Sequence, residues 1–158
     1  MASVCHVGAV RAVVQRVLMA HVDSTVDGVT TRVADIGPGL CVLVGVTHDD
    51  DAAVAEHMAD RIAGLRIMGD DAGVMNRSVV DVAGEVLVVS QFTLYGDTTR
   101  GRRPSWMAAA RPEHAEPLVD AVVAGLRRRG LSVATGAFRT DMAVGLVNDG
   151  PATVILEL

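Results

Sequence analysis

The sequence predicts a mixed α+β domain in which strands outnumber helices and two helices cover one side of the sheet system. Apolar runs bounded by turn residues predict the strands, and two segments with apolar residues at helical spacing predict the helices. A chain of 158 residues is long enough for one domain with a sizeable core. Because only 3% of the residues are aromatic, that core must consist of aliphatic side chains.

The first half of the chain carries three strand signals. Residues Val10 to Met19 predict a mostly buried first strand. Asp27-Gly28, flanked by β-branched residues, is typical of a type I′ hairpin turn. After a turn at Gly37–Gly39, the apolar run Leu40 to Val46 predicts a central strand covered on both faces.

A first helix follows. Its apolar face recurs at helical spacing through Val54, Met58, Ile62 and Leu65. The acidic run Asp49–Asp51 indicates capping of the helix N-terminus rather than a metal site. Gly69–Gly73 then breaks the pattern and predicts a loop.

The second half predicts a strand, a helix and a strand-rich end. Val86 to Tyr95 reads as a strand that leads into a polar loop at Gly96–Pro104. The second helix begins near Pro112 and ends before Gly130, with arginines in its last turn. Leu131 to Leu158 predicts short strands interrupted by turns.

Composition excludes several classes of protein. The net charge of −5 argues against non-specific coating of nucleic acid, although it permits contact with one end of an RNA. No apolar run is long enough for a membrane span, and the first residues do not resemble a signal peptide. We therefore expect a soluble, cytoplasmic protein that needs neither a metal nor a cofactor and has no membrane or DNA partner.

The usual hydrolase templates are absent: the sequence has no G-x-S-x-G elbow and no P-loop. Two other segments carry unusual polar residues. Ser90-Gln91-Phe92-Thr93-Leu94 ends an apolar strand, where polar side chains are costly unless they are paired or used. Asn148-Asp149-Gly150-Pro151-Ala152-Thr153 precedes the last strand and contains a Gly-Pro pair, which can adopt a cis peptide.

Together the two segments resemble the paired signatures S-Q-F-T-L and N-x-G-P-x-T of the D-aminoacyl-tRNA deacylase family. The resemblance covers about residues 10–158, which we expect to be a single domain. We expect residues 1–9 to be an extension, either disordered or untranslated. Further segments similar to the family, in family order, are Arg11–Val17, Ile36–Gly39, Gly45–His48, Met75-Asn76, Gly101–Ser105 and Thr135-Gly136.

The resemblance implies a homodimer whose sheets form a barrel-like, layered core with two helices on one side. Its active sites would lie at the dimer interface, without a metal or cofactor. Ser90, Gln91, Phe92 and Thr93 would form the catalytic pocket of one subunit. Gly150 and Pro151 of the other subunit would form a cis-proline gate that tests chirality.

The implied activity is hydrolysis of the ester of D-aminoacyl-tRNA, with rejection of L-aminoacyl groups and some turnover of glycyl-tRNA(Ala). The implied partner is the acceptor end of the tRNA. Candidate contacts to it are Phe138, Met142, Asn148, Arg102 and Arg103.

Two mechanisms stay open at this point. In one, the ribose 2′-OH assists catalysis and the protein positions the ester and water, with backbone N–H groups near Phe92 stabilising the oxyanion. In the other, the Thr93 hydroxyl is the nucleophile, although the sequence indicates no adjacent base. Two other functions are also open: an RNA-binding module without catalysis, and a hydrolase of small esters on the same fold.

Overall fold

The fold is built on a six-stranded sheet that curls into a nearly closed barrel. The protein is described by a computed structural model over residues 9–158, so the extension expected at residues 1–9 lies outside the described residues apart from Ala9. In chain order the elements are β1 (Arg11–Val26), β2 (Val29–Ile36), β3 (Gly39–Gly45), α1 (Ala52–Gly64), β4 (Met68–Gly69), β5 (Met75–Arg77), β6 (Glu85–Ser90), a 3₁₀ turn (Phe92–Tyr95), α2 (Pro112–Arg128), β7 (Ser132–Thr135) and β8 (Asp141–Glu157).

Strand β1 holds the sheet together because it pairs with three partners. Its first half lies antiparallel to β3 and its second half antiparallel to β2, while β8 runs antiparallel along its other edge. Strands β6 and β7 extend the sheet from β3 in parallel. The mixed α+β class predicted from the sequence is therefore confirmed.

The first hairpin is also confirmed. Asp27 and Gly28 have φ angles of 50° and 77°, the positive values that a type I′ turn requires at both central positions. The predicted end of the first strand at Met19 is wrong, since β1 continues to Val26. This second half has less apolar periodicity, and its pairing with β2 and β8 extends the strand.

The predicted series of short strands and turns is right for β7 and the turn that follows it, and wrong from Asp141 onward, where the chain forms one long strand. Strand β8 pairs with β1 over nearly its whole length, from Asp141 opposite Thr25 to Glu157 opposite Arg11. The register shifts twice between Gln15 and Met19, opposite Asn148–Thr153. The segment Asn148–Thr153, expected as a turn, is therefore an irregularity within β8. The strand pairs regularly with β1 before and after it.

Both helices pack on one side of the sheet, as the sequence predicts. They contribute to one buried cluster with β1, β3 and β6, while a second cluster fills the barrel and contains no helical residue. The Asp51 carboxylate caps α1 by accepting the Val54 N–H at 2.9 Å, and Gly130 follows α2 with a φ of 84°. Within residues 9–158, neither helix has the length and apolar character to traverse a bilayer.

A buried carboxylate ties the start of β1 to the loop before α1. Asp50 is 5% exposed, and its two oxygens accept the N–H groups of Val10 at 3.0 Å and Thr47 at 2.8 Å. Burial raises the pKa of this carboxyl, and the two hydrogen bonds oppose that shift. The side chain thus satisfies two backbone donors that have no access to bulk water.

We predict that Asp50→Asn destabilises the fold. The asparagine side chain has one acceptor oxygen where aspartate has two. Its NH₂ group would therefore face the N–H of either Val10 or Thr47, which would lose its hydrogen bond. An unsatisfied buried donor costs about 2 kcal/mol, which corresponds to a fall in Tm of roughly 4–8 °C for a chain of this size. Thermal unfolding at a fixed protein concentration measures the effect. Asp49→Asn, at the exposed neighbouring position, is the matched control, and an equal fall in both variants would contradict the prediction.

Candidate active site

The Ser90–Leu94 segment forms a strand end followed by a single 3₁₀ turn. Strand β6 stops at Ser90, and the turn closes through bonds from the Leu94 N–H to the Gln91 carbonyl at 3.2 Å and from the Gly96 N–H to the Thr93 carbonyl at 2.9 Å. The prediction of a strand through to Tyr95 is therefore wrong beyond Ser90. A strand would place Gln91 and Thr93 on one side and Ser90 and Phe92 on the other, and the 3₁₀ turn removes this alternation.

The 3₁₀ turn lies directly on β3, where a glycine leaves room for it. A Cβ atom at Gly45 would stand 2.9 Å from the Leu94 Cβ and 3.0 Å from the Gln91 carbonyl oxygen. The Gln91 N–H donates to the Val44 carbonyl at 2.7 Å, which continues the β3–β6 pairing into the turn. The turn is thus fixed by a close backbone approach that any side chain at residue 45 would disturb.

Arg11 holds the far end of the turn. Its Nη1 donates to the Leu94 carbonyl at 3.0 Å, and its guanidinium lies 4.5 Å from the centre of the Tyr95 ring. Glu157 pairs with the same guanidinium at 3.1 Å. Burial raises the pKa of Tyr95 to about 12, so the phenol stays protonated and donates to the Ala9 carbonyl.

The turn exposes polar groups that lack partners. Among residues 9–158, the backbone N–H groups of Phe92 and Thr93 have no backbone acceptor. The Gln91 amide donates to the Thr93 hydroxyl oxygen. An amide NH₂ group cannot accept a proton, so this contact does not activate Thr93 as a nucleophile.

A cavity of about 650 Å³ opens beside the turn. Five of the residues predicted from the sequence line it: Ser90, Gln91, Phe92, Phe138 and Met142. The other lining residues are Val89, Trp106, Ala109, Ala110, Pro112, Ala115, Arg139, Thr140, Asp141 and Val144. Apolar side chains thus dominate the walls, and the polar groups are concentrated at Ser90-Gln91 and Arg139–Asp141.

The wall formed by residues 106–110 was not predicted from the sequence. The segment is anchored to the end of β3: the Thr47 hydroxyl donates to the Ala108 carbonyl at 2.6 Å, and His48 bonds the Met107 carbonyl at 2.6 Å. Trp106 packs edge-on against Phe92, with the ring centres 5.5 Å apart. A Cβ atom at Gly96 would lie 2.6 Å from the Trp106 ring, so this glycine admits the indole.

The Asn148–Thr153 segment does not line the cavity of its own chain, nor do Thr93, Arg102 and Arg103. The Asn148 side chain accepts the Ala152 N–H at 3.0 Å and donates to the Thr153 hydroxyl at 3.0 Å. The Gly150–Pro151 bond is cis, and Gly150 has a φ of 114°.

Arg16 supports this segment from β1. Its Nε donates to the Asp149 carbonyl at 3.2 Å and lies 3.3 Å from the Asp149 carboxylate, while its Nη1 donates to the Ile67 carbonyl at 2.7 Å. A Cβ atom at Gly150 would overlap the guanidinium. Arg16 was not singled out from the sequence, although it lies in the Arg11–Val17 segment that resembles the family.

Comparison with known proteins identifies the family and agrees with the fold. A family model described as D-Tyr-tRNA(Tyr) deacylase matches residues 13–157. A D-aminoacyl-tRNA deacylase of Heliobacterium modesticaldum is 57% identical over 93% of this chain and 95% of its own length. One of Kineococcus radiotolerans is 55% identical over 93% of this chain and 99% of its own length.

Solved structures share the fold. A c-Myc DNA unwinding element binding protein has a TM-score of 0.83 and 39% identity, with 94% of this chain and 98% of that one covered. A probable eukaryotic D-amino acid tRNA deacylase has a TM-score of 0.80 at 17% identity, with 94% and 99% covered. The fold and the relatives define an enzyme of the class of hydrolases that act on ester bonds. The chain belongs to the D-Tyr-tRNA(Tyr) deacylase family.

We predict that Gly45→Ala lowers the catalytic rate without unfolding the protein. The new methyl group would push the 3₁₀ turn away from β3 by several tenths of an ångström, and misplacement of a reacting group by about 1 Å costs up to a hundredfold in rate. We expect kcat for deacylation of D-Tyr-tRNA(Tyr), the substrate in the family's name, to fall at least tenfold. Gly64→Ala, whose Cβ would meet nothing within 4 Å, is the control. Wild-type kcat in Gly45→Ala would refute the role of this contact.

Proposed function

We propose that the protein hydrolyses the ester bond of D-aminoacyl-tRNA, releases the free D-amino acid and the tRNA, and so proofreads the chirality of the aminoacyl group. The observation that carries this proposal is the 3₁₀ turn at the edge of the cavity, where the N–H groups of Phe92 and Thr93 have no backbone acceptor among the described residues and can bind an oxyanion. The names of the relatives, which are 54–57% identical in several bacteria, support the substrate class.

In this proposal the cavity holds the terminal aminoacyl-adenosine. Phe138 and Met142 pack against the adenine ring, and Ser90 and Gln91 face the aminoacyl group, which brings the ester next to Phe92. Such a single-stranded 3′ end is normally bound by stacking and edge contacts rather than by a basic groove. Arg102 and Arg103, exposed in the loop that precedes Trp106, contact phosphates of the acceptor stem.

The reaction needs no side-chain base in this proposal. The aminoacyl ester is already activated, and the neighbouring ribose 2′-OH assists the attack of water. The protein positions the ester and stabilises the developing oxyanion through backbone N–H groups. Thr93 serves as a positioning residue because its hydroxyl receives a hydrogen bond from the Gln91 amide, which cannot act as a base.

The active enzyme is a homodimer in this proposal. Met142, in the wall of the cavity, and Gly150 are eight residues apart on β8, which corresponds to about 26 Å along an extended strand. The Asn148–Thr153 segment of one chain, which carries the gate, therefore serves the cavity of its partner. Asn148 and Arg16 keep that segment in shape through the hydrogen bonds described above.

An exposed apolar face supports this assembly. Val13 pairs directly with Leu43 on one side and Ile155 on the other, so the three side chains share one face of the sheet. Ile155 is 67% exposed, and Phe92 is 54% exposed beside the cavity. A row of aliphatic side chains across three strands is the composition expected of a dimer contact.

The gate would act by exclusion. Its backbone, fixed by Pro151 and by the Arg16 contact, stands close to the α-carbon of the substrate and leaves space for hydrogen but not for an L side chain. Steric conflict with a stiff backbone rejects a substrate more strongly than a missing contact, which is worth only about 1–3 kcal/mol. Glycyl-tRNA(Ala) lacks a side chain, and we therefore expect it to be hydrolysed.

We predict that Pro151→Ala weakens rejection of the L-substrate. Alanine frees φ at this position, so the gate yields to an L side chain. Parallel deacylation of D-Tyr-tRNA and L-Tyr-tRNA should show the ratio of kcat/KM values falling at least tenfold relative to wild type. Turnover of glycyl-tRNA(Ala), which does not touch the gate, should change little.

The control for this prediction is Pro117→Ala, since Pro117 lies exposed within α2 and away from the segment. Size-exclusion chromatography checks that each variant keeps the wild-type oligomeric state. A wild-type enzyme that cleaves the D- and L-esters equally well would refute the proposed function. Binding of tRNA without any turnover would instead favour a binding module, and equal hydrolysis of simple D-amino acid esters would favour a small-ester hydrolase.

The role of Thr93 is tested by Thr93→Ala. If Thr93 only positions the substrate, we expect kcat to fall by less than about tenfold, because the oxyanion donors are backbone groups that remain in place. Thr93→Ser, which keeps a hydroxyl, should be close to wild type. A loss of a thousandfold or more in Thr93→Ala with unchanged tRNA binding would identify Thr93 as the nucleophile.

A further inference from the structure

Among the described residues that line the cavity, one is basic: Arg139, which neither the sequence signatures nor the mechanism uses. It is exposed at the rim, and within residues 9–158 its guanidinium has no ion pair or hydrogen bond. Of the lining residues that the structure describes, Asp141 is the one that is acidic, and no ion pair joins its side chain to that of Arg139. Arg139 therefore places a positive charge at the rim of a cavity whose walls are mostly apolar.

The backbone at Arg139 is held in an unusual conformation. Its φ of 62° is in the left-handed region, which side-chain-bearing residues seldom adopt. A tight turn holds it there: the Thr140 N–H and hydroxyl both donate to the Ala137 carbonyl, at 3.3 and 2.8 Å, and the buried Ser24 donates to the Thr140 hydroxyl at 2.7 Å. The direction in which the side chain leaves the main chain is thus set before any ligand arrives.

We propose that Arg139 binds the phosphate on the 5′ side of the terminal nucleotide of the substrate RNA. The inference rests on the proposed function, which stacks the terminal adenine on Phe138, the residue preceding Arg139. When the adenine lies on Phe138 and the ester lies next to Phe92, both of these groups are neutral. The charged group of that nucleotide is its 5′ phosphate. A planar guanidinium suits a phosphate because it can donate two parallel hydrogen bonds.

The charge of the whole chain makes such a contact useful. A protein with a net charge of −5 repels RNA at long range, so affinity must come from local contacts with phosphates. A contact adjacent to the ester orients the reacting nucleotide, whereas contacts in the acceptor stem only bring the RNA closer. Arg139 therefore acts on substrate binding and orientation and does not take part in the bond-breaking step.

The experiment compares two small substrates that differ by one phosphate: the 3′-O-D-tyrosyl ester of adenosine and that of adenosine 5′-monophosphate. For the wild-type protein, the phosphate should lower KM about tenfold, the usual worth of one charge-assisted hydrogen bond. In Arg139→Ala the two KM values should become equal. Arg139→Lys should retain part of the preference because it keeps the charge.

Arg139→Gly separates binding from folding. Glycine suits a φ of 62°, so this variant should have a Tm at or above that of wild type, yet it should lose the phosphate preference. With D-Tyr-tRNA, the slope of log KM against log salt concentration should fall by about 0.7, as expected for one lost phosphate contact on a single strand. Arg61→Ala is the matched control: it removes the same charge from an exposed position on α1 that does not line the cavity.

Two results would overturn the assignment of Arg139 while leaving the proposed function intact. One is hydrolysis of D-Tyr-tRNA by a wild-type enzyme that shows no preference for the phosphorylated ester. The other is an undiminished preference in both Arg139→Ala and Arg139→Gly. A wild-type enzyme that hydrolyses neither D-Tyr-tRNA nor the two esters would overturn the proposed function and this inference together.

Discussion

The close approach between β3 and the 3₁₀ turn, made possible by the missing side chain at Gly45, is the contact on which the site depends. Parallel pairing of β3 with β6 brings Ser90 to the end of the sheet, and the Gln91 N–H carries that pairing one residue further. From there the chain must turn sharply, and the groove over Gly45 accommodates the turn. The N–H groups at its start have no backbone acceptor among the described residues, because no preceding helical turn supplies carbonyl groups to them.

Each wall of the cavity is joined to the same sheet by a different means. The 3₁₀ turn is held by backbone pairing to β3 and by Arg11. The wall at residues 106–110 is held by Thr47 and His48, which follow β3. The third wall consists of side chains of β8, which alternate between the two faces of the strand. Met142 and Val144 face the cavity because residues two apart lie on one side of a strand. A rigid sheet thus fixes the relative positions of groups that come from distant parts of the chain.

Local sequence signals predicted those parts of the fold that depend on neighbouring residues. The Asp27-Gly28 hairpin, the Asp51 cap and the glycine after α2 each follow from the conformational preferences of a few residues. The resemblance located Ser90, Gln91, Phe92, Phe138 and Met142, all of which line the cavity. These positions are recognisable because two separate motifs occur in order with matching flanks.

The remaining features depend on contacts between residues far apart in sequence. Phe92–Tyr95 has the composition of a strand, yet it forms a 3₁₀ turn that packs closely over Gly45, a residue far earlier in the chain. Strand β8 continues through Asn148–Thr153 because β1, more than 100 residues earlier, offers partners on both sides of the irregularity. The wall at Trp106 depends on anchors at Thr47 and His48, and no local pattern reveals such partners.

Trp106 is the single tryptophan of the chain, and its indole forms part of the cavity wall against Phe92. All intrinsic indole fluorescence of the protein therefore originates at the place where the substrate is proposed to enter. At 44% exposure the ring is neither fully hydrated nor fully shielded, so its emission responds to a change of surroundings in either direction. The protein thus carries its own optical reporter of cavity occupancy, and unlabelled nucleotides can be titrated against it directly.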